Sequence, residues 1–268
     1  MTLSLVKGKY WSLRVCALFC LMLTGASTAQ AESLQLVGNK VATYIDEHEL
    51  PARQMDLVKA AFTESDVNIT ATTQAWSGSG LKSGRFKGYI DHYSLNDTKD
   101  NYLYSEPYMK VDLHVVSRDK RAEKVVRLEQ MYRERVGIEN RFANTDALRA
   151  ERNVRWARGP SFFDTIKQLA EYRVDFLLVD KRMANEMNKL LVAAGEKPIY
   201  ISKVAIISID VSLAMNANYA GAADAITEFN NGIMLLKESS KLAEIMDEGI
   251  ERPSLLDENI YDEMITRW

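Results

Sequence analysis

The chain has 268 residues, with 34 Lys+Arg against 37 Asp+Glu for a net charge of −3, and is 47% hydrophobic and 26% charged. That balance is ordinary for a globular protein, and it excludes a disordered tail, a collagen-like repeat and a strongly basic nucleic-acid binder. With only two cysteines, Cys16 and Cys20, a disulfide-rich scaffold and a Cys-based zinc site are excluded as well.

The first stretch differs from the rest. Residues 1–31 carry no Asp or Glu, open with Lys7, Lys9 and Arg14, continue as an apolar run over 15–23, and end in Ala29-Gln30-Ala31. This three-part pattern is that of a secretory signal peptide with cleavage after Ala31. The apolar run is shorter than the roughly 20 residues that span a bilayer. Phe19 before Cys20 and Val15 before Cys16 do not suit a lipoprotein signal, which needs a small residue there. Cutting after Ala31 takes 268 residues to 237, and losing three cations with no anion takes the charge from −3 to −6. It also removes both thiols, which suits an oxidising compartment such as the periplasm.

Beyond the signal, periodicity predicts alternating strands and helices. Residues 34–37 read as a strand. A helix over 55–62 places Met55, Val58, Ala61 and Phe62 on one face. Residues 67–72 alternate as a strand, and 87–90 form a short one entering a polar loop over 91–100. A longer strand covers 108–116, with Val111, Leu113 and Val115 alternating. The strand at 135–138 ends in Glu139-Asn140-Arg141, and a helix follows over 145–151, with Asn144 or Thr145 as its cap. Residues 154–157 form a strand, Gly159-Pro160-Ser161 a capping turn, and 162–172 an amphipathic helix burying Phe163, Ile166, Leu169 and Ala170. The near-continuous apolar run 174–179 is the mark of a buried parallel strand, with Asp180 at its carboxyl end. Helices are predicted over 181–194, 220–236 and 242–246, with a β-branched apolar stretch over 199–209 and an acidic tail after 247.

Such alternation implies an α/β architecture with a mostly parallel sheet. In these sheets ligands lie beyond the carboxyl ends of strands. Asp91, His92, Tyr93, Arg141 and Asp180 all stand at predicted strand ends and are candidate ligand contacts. Tyr44, Trp76 and Tyr93 are candidate aromatic walls.

Several segments resemble the bacterial extracellular solute-binding proteins of family 3, the polar amino-acid type. They are Asp56 to Phe62, Trp76, Gly84 to Tyr89, Tyr102-Leu103-Tyr104-Ser105-Glu106-Pro107-Tyr108, Arg135 to Ile138, Gln168 to Phe176, and Phe229 to Lys237. The resemblance implies a two-lobed α/β fold of the type II periplasmic-binding kind with two crossing hinge strands. Lobe 1 would be residues 32–113 and 205–268, lobe 2 residues 119–200, and the hinge strands 114–118 and 201–204. It implies capture of a small polar solute between closing lobes, without cofactor or metal, by a monomer that meets a membrane permease or a membrane sensor protein.

Departures from the family pattern are informative. The family's carboxylate-clamping Arg falls on Thr98 here, with Lys99 adjacent, and a Lys lacks the planar two-donor fork of Arg. The lobe-2 Gly-Thr that offers backbone donors falls on Arg141-Phe142, while the Asp that pairs with the ligand ammonium matches Asp180. Two other readings stand beside capture: a sensory module of the same fold, and a dehydratase-like enzyme. The last has little support, since His48, His92 and His114 lack metal spacing and neither G-x-S-x-G nor a P-loop occurs. Asp91 beside His92 is its one acid/base pair.

Overall fold

Two wings of parallel strands meet through an antiparallel centre. The computed structural model of the chain describes residues 33–46, 51–143, 145, 148, 150–247, 266 and 268. The expected signal peptide, part of the helix expected over 145–151 and nearly all of the acidic tail lie outside these residues. Strands β1 (Leu34–Asn39), β2 (Val67–Thr72) and β3 (Gly88–Tyr93) make one wing, with β1 parallel to both neighbours. The long strand β5 (Met109–Ser117) follows a short one, β4 (Tyr102–Tyr104). Strands β6 (Arg135–Glu139), β7 (Arg155–Gly159) and β8 (Phe176–Asp180) make the second wing, with β6 parallel to both others. The chain returns through β9 (Tyr200–Ile201) and β10 (Ile207–Asn216).

The sheet runs β2-β1-β3-β10-β5-β8-β6-β7. All pairings made by β5 and β10 are antiparallel. The sheet is therefore parallel only in its wings, a correction to the mostly parallel expectation. The reason is topological: each wing is wound by helical crossovers, whereas β5 and β10 carry the chain between wings in opposite directions. Strand β5 serves both sides, pairing Met109 to Leu113 with β10 and Leu113 to Val116 with β8. The segment expected as one apolar stretch over 199–209 is split around 202–206, which still runs along β5. Ser202 N donates to Val115 O and Ile206 N to Leu113 O, both at 2.8 Å.

The helices are α1 (Arg53–Ala61), α2 (Gln74–Lys82), α3 (Asn140–Ala143), α4 (Phe162–Ala170), α5 (Lys181–Ala193), α6 (Ala222–Glu238) and α7 (Lys241–Asp247). Ser161 caps α4 by accepting from Asp164 N at 3.2 Å, and Asp180 caps α5 by accepting from Arg182 N at 2.8 Å. Helix α4 stops short of the expected Tyr172, which takes φ 56° and turns the chain out of the helix. Helix α6 lies so close on α1 that a Cβ at Gly232 would strike the Ala61 backbone. Only glycine permits that approach.

Candidate functional site

A cavity of about 800 Å³ opens between the wings, lined by residues from both. The first wing contributes Asn39 at the end of β1 and Asp91 and Tyr93 at the end of β3; the second contributes Glu139 at the end of β6, Arg141 on α3 and Ser161 before α4. These are carboxyl ends of strands, where side chains of both wings converge.

Asp91 is buried on the cavity wall. Its Oδ2 accepts from Asn39 N at 3.1 Å and from Asn39 Nδ2 at 2.7 Å. Its Oδ1 is buried without a hydrogen-bond partner. Burial pushes its pKa above the ordinary carboxylate value, and the two Asn39 donors oppose that. Arg141 holds Glu139 in a two-point ion pair, Nε to Oε2 at 2.9 Å and Nη2 to Oε1 at 3.1 Å. Its Nη1 crosses to the other wing and donates to the Tyr93 hydroxyl at 3.1 Å. Burial is the largest influence and opposes the guanidinium charge, but Glu139, Tyr93 and Asp180 together outweigh it and keep Arg141 above its ordinary value. Burial lifts the Tyr93 phenol to about 12, with Arg141 opposing.

Of the residues singled out from sequence, the cavity gathers Asp91, Tyr93 and Arg141. The others lie elsewhere, for physical reasons. Strand β3 extends through Tyr93 instead of ending at Ile90, because Tyr93 pairs with Val211 on β10. The pleat then sends His92 to the opposite face from Asp91 and Tyr93. There its ring sits 4.4 Å from that of Tyr104, and Nδ1 lies 3.3 Å from the Tyr89 hydroxyl. Burial and nearby Lys99 hold His92 below its ordinary pKa. Asp91 and His92 thus form no acid/base pair.

Trp76 is 69% exposed on α2 and lines no part of the cavity. Lys99 sits in an exposed loop, its backbone N donating to the Tyr104 hydroxyl at 2.9 Å. Tyr44 and Asp180 are buried against each other, the Tyr44 hydroxyl donating to Asp180 Oδ2 at 2.6 Å. With Oδ1 capping α5, both oxygens of Asp180 already have partners within the protein.

Sequence reasoning missed Asn39 and treated Glu139 only as a loop residue. Both were legible as polar residues closing apolar strands, the same signal that picked out Arg141. Among the described residues, no three His, Cys, Asp or Glu side chains gather in a metal-binding group.

Two wings, two strands crossing between them and a cavity at the facing strand ends make this a two-lobed periplasmic-binding-protein fold. No family model and no curated protein matches the chain. Solved structures do. The chain is similar to the GluR0 ligand-binding core in complex with L-glutamate, with a TM-score of 0.67 at 11% identity, over 81% of this chain and 98% of that one. It is similar to the arginine-, lysine-, histidine-binding protein ArtJ from Geobacillus stearothermophilus, with a TM-score of 0.61 at 16% identity, over 81% and 95%. A histidine kinase sensor domain with similarity to periplasmic binding proteins matches with a TM-score of 0.62 at 16% identity, over 82% and 96%.

Proposed function

We propose that the chain is an exported solute-binding protein that captures a small polar solute between its lobes, without chemistry, and hands it or reports it to a membrane partner. The observation that carries this reading is the cavity at the facing strand ends, lined by polar and charged side chains of both wings. The amino-acid ligands named for the similar GluR0 core and ArtJ support a small polar solute. The lobes are proposed as residues 32–113 with 205–268, and 119–200, hinged through 114–118 and 201–204. Pairing of β5 with both β10 and β8 supports a hinge there. Cleavage after Ala31 and periplasmic residence belong to the same reading, as does a monomeric state.

Closure follows from population shift: a solute touching both walls binds the closed form preferentially. A thermal-shift screen against amino acids, amines, organic acids and nucleosides tests it. A true ligand at 100 times its Kd stabilises the protein by about 2.7 kcal/mol. No shift with any small solute would refute capture. The second reading is a sensory module, supported by the likeness to a kinase sensor domain and to the GluR0 core. Co-purification with a membrane receptor instead of a permease would decide for it.

A further inference from the structure

We infer that the end of the second wing remote from the cavity is a docking surface for anionic phospholipid headgroups. The inference is independent of what the cavity holds, and it begins from how charge is divided. Residues 118–206, the chain between β5 and β10, hold 19 Lys+Arg against 13 Asp+Glu, a net of +6. Residues 32–268 together net −6, so the rest of that span nets −12. Cations are thus concentrated in the second wing.

Some of them are neutralised locally. Arg121 pairs with Asp119 at 2.7 Å and with Glu134 at 3.1 Å, and Arg135 with Asp175 at 2.8 Å. Four others, Lys124, Arg133, Arg152 and Arg155, are exposed and form no ion pair among the described residues. The backbone brings them to one place. A turn of 3-10 helix over Lys120–Lys124 sets Lys124 beside Arg121, because side chains three apart eclipse there. Arg121 reaches Glu134, next to Arg133. Arg133 N donates to Asn153 O at 2.7 Å, beside Arg152, and Arg155 N donates to Glu134 O at 3.0 Å. The Arg133 guanidinium lies 5.0 Å from the Tyr132 ring.

A bilayer surface suits this arrangement better than a single acidic group. The free cations stand on three separate turns, so they can meet several phosphates at once. Among them Tyr132 is 56% and Val126 53% exposed, and a tyrosine ring sits well at headgroup level. Docking there leaves the cavity open. Strands β6 and β7 begin at this end, at Arg135 and Arg155, whereas Glu139 and Ser161, past their other ends, line the cavity.

The test is sedimentation of the purified protein with vesicles of phosphatidylglycerol and phosphatidylethanolamine, against vesicles of phosphatidylcholine alone. The expected partition is at least about tenfold stronger onto the anionic vesicles and is lost as salt rises from about 0.05 M to about 0.5 M. The triple variant Lys124→Gln, Arg133→Gln, Arg155→Gln should weaken that partition by at least about tenfold, since each cation near an anionic surface contributes about fivefold. Lys124→Gln alone, on an exposed turn, should weaken it by about fivefold, which keeps the test open where the triple variant folds poorly. Parent and variants share residues 1–31, so the comparison isolates the patch. Equal partition onto both vesicle types, no partition, or a partition unchanged in the variants overturns the inference. So does binding of an acidic protein, or of a second copy, with no partition onto vesicles.

Discussion

The same two wings meet in two ways. At the cavity they face each other across open space, bridged by the Arg141 to Tyr93 hydrogen bond and by the Tyr93 ring against Phe142. Elsewhere they meet in a seam of direct polar contacts. There Tyr44 bonds Asp180, Arg53 on α1 forms a buried ion pair with Glu186 on α5, and Arg182 reaches the Met246 carbonyl and Asp247 on α7. In the seam, polar groups of one wing are answered by groups of the other. In the cavity, Asp91 Oδ1 is not answered by the protein at all. The seam therefore ties the wings through direct polar contacts, whereas the cavity keeps most of the polar side chains of its two walls apart.

Breaking the seam should produce the largest effect. Arg53→Met strands the buried Glu186 carboxylate and should cost about 3–5 kcal/mol, read from urea unfolding with an unchanged slope. Adding Glu186→Met should recover most of it; a double variant as unstable as the single would show that the loss is packing and not charge. Next comes Tyr44→Phe, which leaves Asp180 Oδ2 buried without its donor, at roughly 1–3 kcal/mol in the same assay. Asp180→Asn keeps the helix cap and turns that bond into a neutral one, for a loss of about 1 kcal/mol. Because Asp180 is engaged in the seam, this variant should leave the affinity for a solute found by the thermal-shift screen within a few-fold; a tenfold loss would return Asp180 to the ligand site.

The cavity predicts a smaller effect of opposite sense. Folding raises the pKa of Asp91, so the native state binds its proton more tightly than the unfolded chain. Stability of the unliganded protein should then fall as pH rises from the ordinary Asp range through the raised value. Glu186 is also raised, by burial, with Arg53 opposing, and adds a slope of the same sign. Asp91→Asn isolates the cavity's share: thermal melts across that range should be flatter than those of the parent, and parallel curves would contradict the bare-oxygen assignment. Smallest of all, Trp76→Ala on the exposed face of α2 should stay within about 0.5 kcal/mol of the parent.

Much of the fold was legible from periodicity. The apolar run before Asp180 became β8, the stripe after Ser161 became α4 under the cap its turn promised, and the α/β alternation became two wound wings. Helix α2 was not legible. Its sequence, Gln-Ala-Trp-Ser-Gly-Ser-Gly-Leu-Lys, carries two serines and two glycines that disfavour a helix, and only packing overrides that. Within the site, Asp91, Tyr93 and Arg141 were found from polar residues near strand ends. Asp180 was found by the same signal, yet it faces Tyr44 and not the cavity.

Sequence alone determined most of the segments that become strands and helices, α2 excepted, because burying one face of each leaves a period that can be counted. It also determined which polar residues cluster near strand ends. The tertiary structure decided which of those share a space. A pleat one residue out of phase separates His92 from Asp91. The antiparallel crossing of β5 and β10 sets which strand ends face each other. A contact 136 positions apart in the chain, Tyr44 to Asp180, decides that one buried carboxylate is engaged while Asp91 is left with a bare oxygen. Spacing along the chain carries no record of such pairings, since they depend on how whole elements are placed.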